Sequence, residues 1–259
     1  MATTTPRRVL TDDQLTEMLA LTKDADSVEL KLTVPADEHR AALTALDIDP
    51  LEAQIRQVFF FDTPELTLNQ IGVVVRARRI QGKGDDSVVK LRPVVPAELE
   101  PELRASPAFG VEVDAMPGGF VCSGSMKAAL PATHVREAMK GDRPFRKLFT
   151  KEQRAFYAEH APEGVAIDDL SALGPIFVLK AKFAPSELGR KLVAELWLYP
   201  DGSRLLELST KCLPGEAFQV DALRRQERAR LGCDLGGEQE TKTRKALEFF
   251  AGRLAEGGV

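Results

Sequence analysis

Alternation of charged and aliphatic positions is the strongest signal in this chain. From Ser27 to Val34, one face carries Ser27, Glu29, Lys31 and Thr33, and the other carries Val28, Leu30, Leu32 and Val34. That is the period of a strand with one apolar side. The stretch from Gln57 to Arg79 reads as strand, turn, strand, and its second strand sets Arg76 and Arg78 side by side, opposite Val73, Val75 and Ala77. Further short strands place Lys90 and Arg92 on one face, Glu112 and Asp114 on one face, and Lys180 and Lys182 on one face, each backed by aliphatic residues. Val193–Tyr199 and Arg204–Lys211, joined by Pro200, Asp201 and Gly202, predict a hairpin. Glu195 and Trp197 align on its first strand, and Glu207, Ser209 and Lys211 on its second. Phe149 to Tyr157 reads as one more strand, with Glu152, Arg154 and Phe156 on one side.

Helical spacing appears between and around these strands. Thr11 followed by Asp12 and Asp13 supplies an N-cap and an acidic first turn for a helix carrying Leu15, Met18, Leu19 and Leu21. Asp37 to Leu46 follows Pro35 as a short helix, and Ala132 to Lys140 is a helix closed by Gly141. Two amphipathic helices are predicted near the end, over Ala217–Leu231 and Glu238–Leu254. QGKGDDS, between Ile80 and Val88, predicts a flexible turn; its glycines lack the spacing and the Ser or Thr of a Walker phosphate loop. The Pro- and Glu-rich run from Pro93 to Pro107 predicts a loop.

Composition narrows the class of partner. The formal charge is -4 over 259 residues, so an anion site must be local and duplex nucleic acid is not an expected partner. Cys122, Cys212 and Cys233 are scattered, without zinc or disulfide spacing. No apolar run reaches the roughly 18 residues of a membrane span, and MATTTPRRVL lacks a signal-peptide core, so the expectation is a cytoplasmic protein with no membrane partner. His39, His134 and His160 lie far apart and predict surface or helix positions. Trp197 predicts a core or wall aromatic, the run KTRK at Lys242–Lys245 a polar helix face, and Asp168 and Asp169 a turn.

Each strand thus carries charged residues on one face and aliphatic residues on the other, often two charges of one kind per strand, and both signs occur. An open sheet with a solvated charged face would satisfy this pattern. A sheet closed on itself, with a charged interior and helices over its aliphatic exterior, would satisfy it equally. In the second case paired guanidiniums would suit an anion with several oxygens, because each presents a planar fork of donors.

SVELKL, FFFDTPELTLNQIGVVVRARR, VVKLR, VEVD and DDLSALG, in that order, resemble the CYTH superfamily, the triphosphate tunnel metalloenzymes. The resemblance implies an α+β fold in which a closed antiparallel eight-stranded tunnel is covered by amphipathic helices. It implies one domain over 1–259, with a core at about 27–211 and C-terminal helices at 216–255. It also implies a triphosphate-containing small molecule as substrate, hydrolysed with Mg2+ or Mn2+; the family includes inorganic, thiamine and RNA triphosphatases and one class of adenylate cyclases. Glu29 and Lys31 match the last two members of its E-x-E-x-K signature and are the implied catalytic pair. Arg76, Arg78, Lys90 and Arg92 match its phosphate-binding residues, and Arg154, Lys180, Lys182 and Lys211 extend that basic set. Glu29, Glu112, Asp114, Glu195 and Glu207 are the implied metal ligands. Two departures stand out: Ser27 replaces the first Glu of the signature, and Lys180 and Lys182 occupy a place where the family carries Glu-x-Glu. The rival reading is therefore a non-catalytic nucleotide- or polyphosphate-binding module with a depleted metal site.

Overall fold

Strand β1 (Ser27–Val34) buries every second residue, Val28, Leu30, Leu32 and Val34, while its charged residues point the other way. The other strands are β2 (Gln54–Asp62), β3 (Val73–Ile80), β4 (Asp85–Leu91), β5 (Phe109–Met116), β6 (Gly119–Leu130), β7 (Ser171–Phe183), β8 (Leu192–Leu198) and β9 (Arg204–Cys212), several of which, β2 and β6 most of all, bury runs of residues on both faces. The computed structural model describes residues 12–117, 119–185, 189–220 and 242–255. Among these, nine strands close into a barrel in the order β1-β5-β6-β4-β3-β2-β7-β8-β9.

Closure corrects two expectations. The barrel has nine strands where eight antiparallel ones were expected, and β1 pairs with β5 in parallel while its other neighbour, β9, is antiparallel. The unexpected strand is β6, GFVCSGSMKAAL, whose small residues carry little strand signal. Their size has a use, because a Cβ at Gly124 would come within 2.6 Å of the Phe109 ring that lies over it.

The aliphatic face of most of the wall is turned outward under helices, as closure requires. Helix α1 is Asp12–Lys23 (its proposed cap, Thr11, lies outside the described residues), α2 is His39–Ala45, α3 Thr67–Gln70, α4 Pro101–Ala105 and α5 His134–Met139. Helix α6 (Lys151–His160) overturns the strand expected at Phe149–Tyr157. Thr150 and Gln153 form a reciprocal capping box that starts the helix, and Phe156 and Tyr157 bury its inner side. Gln153 is itself fully buried, donating to the carbonyls of Ser87 (3.2 Å) and Met126 (3.1 Å), so α6 is bolted to β4 and β6 from outside. The last described helix, α7 (Lys242–Ala255), coincides with the expected Glu238–Leu254 helix from Lys242 onward and runs one residue past it. Most of the expected Ala217–Leu231 helix lies outside the described residues.

Two local devices hold the charged strands in place. Asp62 accepts from the backbone N–H groups of Thr63, Leu68 and Asn69, at 2.8, 2.9 and 3.0 Å, which fixes the turn between β2 and β3. Gly72 has φ +79°, and a Cβ there would lie 2.0 Å from the Arg92 carbonyl, so only glycine lets the start of β3 meet the end of β4. Cys122 and Cys212 are buried free thiols, Cys233 lies outside the described residues, and no described helix is long and apolar enough to cross a membrane.

Candidate functional site

The parallel pairing of β1 with β5 gathers the acids. Ser27 lies beside Glu112 and Glu29 beside Asp114 in the register, so carboxylates far apart in sequence face one another. Oxygens of Glu29, Glu112 and Asp114 all lie within 4.8 Å of one another, close enough to share one cation. Ser27 Oγ donates to Glu112 at 3.3 Å. Lysines surround this group: Lys31 Nζ is 2.7 Å from Asp114 and 3.2 Å from Glu29, Lys90 is 3.2 Å from Asp114, and Lys211 pairs with Glu112. Burial alone would raise the Asp114 pKa, but Lys90 and Lys31 outweigh it and hold the carboxyl well below the usual range.

A second zone is cationic. Arg76 and Arg78 on β3 lie next to Arg56, which the sequence reading missed, on β2. Arg78 is already committed: its Nε and Nη2 grip Asp86 at 2.8 and 2.5 Å. Asp86 falls within the stretch expected to be a flexible turn; Gln81 to Gly84 form that turn, whereas Asp85, Asp86 and Ser87 open β4. Arg56 donates to Gln54 at 3.2 and 2.9 Å. Arg76 differs, since among the described residues its buried Nε has no hydrogen-bond partner. Burial, and then the neighbouring Arg78, push its pKa down to about 9 from an ordinary 12.5, as expected of a cation without a counter-charge of its own. Lys127, on the unanticipated β6, is near enough to Glu112, Lys211, Arg76 and Glu29 to be influenced by each. An alternation search could have found Arg56, two residues before Val58 on the same face, had β2 been started earlier. Lys127 carried no such signal.

The third zone is an ion-pair cluster. Glu195 and Glu207 are register partners on β8 and β9. Lys180 meets Glu195 at 2.8 Å, and Lys242 from α7 reaches both Glu195 (2.7 Å) and Glu207 (2.6 Å). These two acids are therefore held by ammonium groups and stand outside the carboxylate trio. Lys242 also corrects the reading of KTRK as a polar helix face, because its ammonium lies 5.2 Å over the Trp197 ring inside the barrel. Asp168 does build a turn, accepting from the Arg146 N–H at 2.7 Å.

The remaining expected residues divide between mouth and exterior. Lys182 is exposed on the face it shares with Lys180, and Lys211 is exposed beside Glu112. Arg92, at the end of β4, is near enough to Asp114 to be influenced by its charge. Arg154 sits on α6 and donates to the Phe149 carbonyl at 2.7 Å, so it serves the outer layer.

No family model matches this sequence, and no curated protein matches it. Solved structures do match. A candidate adenylate cyclase from Bacillus halodurans is 12% identical, with a TM-score of 0.58 over 85% of this chain and 98% of that one. A candidate adenylyl cyclase from Hippeastrum, described as having a dominant triphosphatase activity, is 16% identical, with a TM-score of 0.60 over 89% of this chain and 96% of that one. At these identities the likeness is one of fold, and the chain shares with both the closed β-barrel wrapped by helices.

Proposed function

We propose that the barrel binds a triphosphate-containing small molecule and hydrolyses it with a divalent cation, as a divergent relative of the triphosphate tunnel enzymes. The observation that carries this reading is Arg76, a guanidinium in the barrel wall whose shielded Nε has no hydrogen-bond partner among the described residues, followed along the same face by Arg78 and then Arg56. A buried cation without a counter-charge is costly, and an oligo-anion entering the barrel would relieve that cost. The fold neighbours point the same way, one of them being described by its triphosphatase activity.

In this reading Arg56, Arg76, Arg78 and Lys127 neutralise and orient the phosphates, which is most of what phosphoryl transfer to water asks of a protein. Glu29, Glu112 and Asp114 would hold Mg2+ or Mn2+, and their donor set fits a hard cation. A cation bound there would supply charge compensation at phosphate oxygens. Lys31 and Lys90 hold Asp114 ionised and keep the trio in place until it is needed.

A second reading has its own observation in its favour: every carboxylate of the trio is already paired with a lysine. A metal-free anion-binding module would look like this. Phosphate release from tripolyphosphate, ATP and thiamine triphosphate, each with magnesium and manganese, separates the two. Release that a chelator abolishes supports the enzyme, whereas tight binding without release supports the module.

Ser27→Glu should lower the magnesium or manganese concentration needed for half-maximal release by a factor of a few. Residue 27 lies beside Glu112, about 7 Å along the strand from Glu29, so a fourth carboxylate would join the group. A metal titration of phosphate release checks this; an unchanged or higher requirement would remove position 27 from the site. Lys180→Glu would not act in the same way, since Lys180 is paired with Glu195, outside this group.

A further inference from the structure

The inner wall changes character along the barrel. Where β2 and β8 end and β3, β7 and β9 begin, the faces that carry Arg56, Arg76, Lys180 and Glu195 continue with Val58, Phe60, Val74, Ile176, Trp197 and Leu205, all buried. Apolar side chains on that face would be costly beside a water-filled lumen. Helix α7 covers them: Ala246 and Leu247 are buried in the same cluster, with Phe250 and Ala251 packed against it. Polar ties fix the helix there. Lys242 bridges Glu195 and Glu207 at 2.7 and 2.6 Å and lies over Trp197, while Tyr199 Oη donates to the Lys242 carbonyl at 3.1 Å. At the opposite end the exposed ammonium groups are Lys182 and Lys211, at the finish of β7 and β9.

We infer that α7 is a fixed stopper, so the barrel has one working mouth, and a phosphate chain is held by its terminus while whatever it carries stays outside. This rests on the triphosphate reading and goes beyond it. Recognition is of a free end, so a nucleoside, a vitamin or further phosphates at the other end are tolerated alike. A chain lacking free ends is refused, because it cannot pass through.

The test uses long-chain polyphosphate with free ends and the same polymer with both terminal phosphates capped as phosphoramidates, each competing with tripolyphosphate for the full-length protein. Counted per chain, the free-ended polymer should compete about as well as tripolyphosphate, and capping should weaken competition roughly tenfold or more. Trp197, the one tryptophan of the chain, reports on the stopper itself. It should stay shielded from acrylamide with and without tripolyphosphate, and become accessible in Lys242→Glu, where a third carboxylate repels Glu195 and Glu207. The unaltered protein alone decides the matter should that variant not fold. Equal competition by capped and free polymers, or quenching of Trp197 as ready as in the unfolded chain, would overturn the inference. Shielded Trp197 with no tripolyphosphate binding would instead overturn the triphosphate reading, taking terminal recognition with it while leaving the stopper.

Discussion

Replacing Arg76 and Arg78 together by alanine should weaken tripolyphosphate binding by roughly a hundred- to ten-thousandfold. Each charge-assisted contact to a phosphate is worth about 1.5–3 kcal/mol, and the pair supplies at least two. The two residues should not contribute in the same way. Arg78 must exchange Asp86 for phosphate, so part of its gain is lost in parting from a carboxylate held at 2.5–2.8 Å. Arg76 gives up no such partner. Arg76→Ala alone should therefore account for more than half of the lost binding energy, and the folded state should tolerate it, since the change removes a cation that burial and Arg78 already disfavour and that forms no ion pair of its own among the described residues. Calorimetric titration of the single and double variants checks both points. Arg154→Ala, on the outer helix, should bind as the unaltered protein does. A double variant that binds as before would take the anion site away from β3.

Asp114→Asn should cost about 3–5 kcal/mol of stability, the usual loss when one partner of a buried ion pair is removed. Its carboxylate answers Lys31 at 2.7 Å and Lys90 at 3.2 Å, and only 4% of its side chain is exposed, so solvent cannot take its place. The amide would leave two ammonium groups facing each other across a neutral side chain. The acid limb of the stability curve carries the same information. Because the folded pKa of Asp114 is depressed below the ordinary 3.8, its contribution is complete above that value and is lost as the pH falls below it. Denaturant titrations at neutral pH and below pH 3.8 should show a gap between Asp114→Asn and the unaltered protein that narrows as the acid removes what the mutation has already removed. A gap independent of pH would mean that the loss comes from packing.

Much of this arrangement was legible because a strand with one apolar face repeats at two residues, and the sorting of charge from aliphatic is clean along all of β1 and along the charged stretch of β3 from Val75 to Arg78. What the period could not convey is which strands meet. The parallel contact of β1 with β5 joins residues some 85 positions apart, as in the hydrogen bond from Ser27 to Glu112, and no local pattern encodes it. β6 was invisible for a different reason: Gly, Ser and Ala fill a strand that must pass beneath Phe109, and small residues have weak preferences of their own. At α6 the ambiguous run KEQRAFYAEH was settled by a capping box and by a glutamine buried against β4 and β6. Lys242 reads as a surface lysine in a charged run, and only the docking of its helix turns it inward onto Glu195 and Glu207. The basic set was thus readable strand by strand, whereas its partition into a free Arg76, a committed Arg78 and a Lys180 bound to Glu195 belongs to the closed barrel.

The most direct measurement is a calorimetric titration of the unaltered protein with tripolyphosphate, in chelator and then with magnesium or manganese, at low and at raised salt. The account predicts saturable binding even in chelator, because the guanidiniums hold the phosphates, with an affinity that falls as salt is added. It also predicts tighter binding when the cation is present to share the anion with Glu29, Glu112 and Asp114. No saturable heat under any of these conditions would contradict the account at its centre.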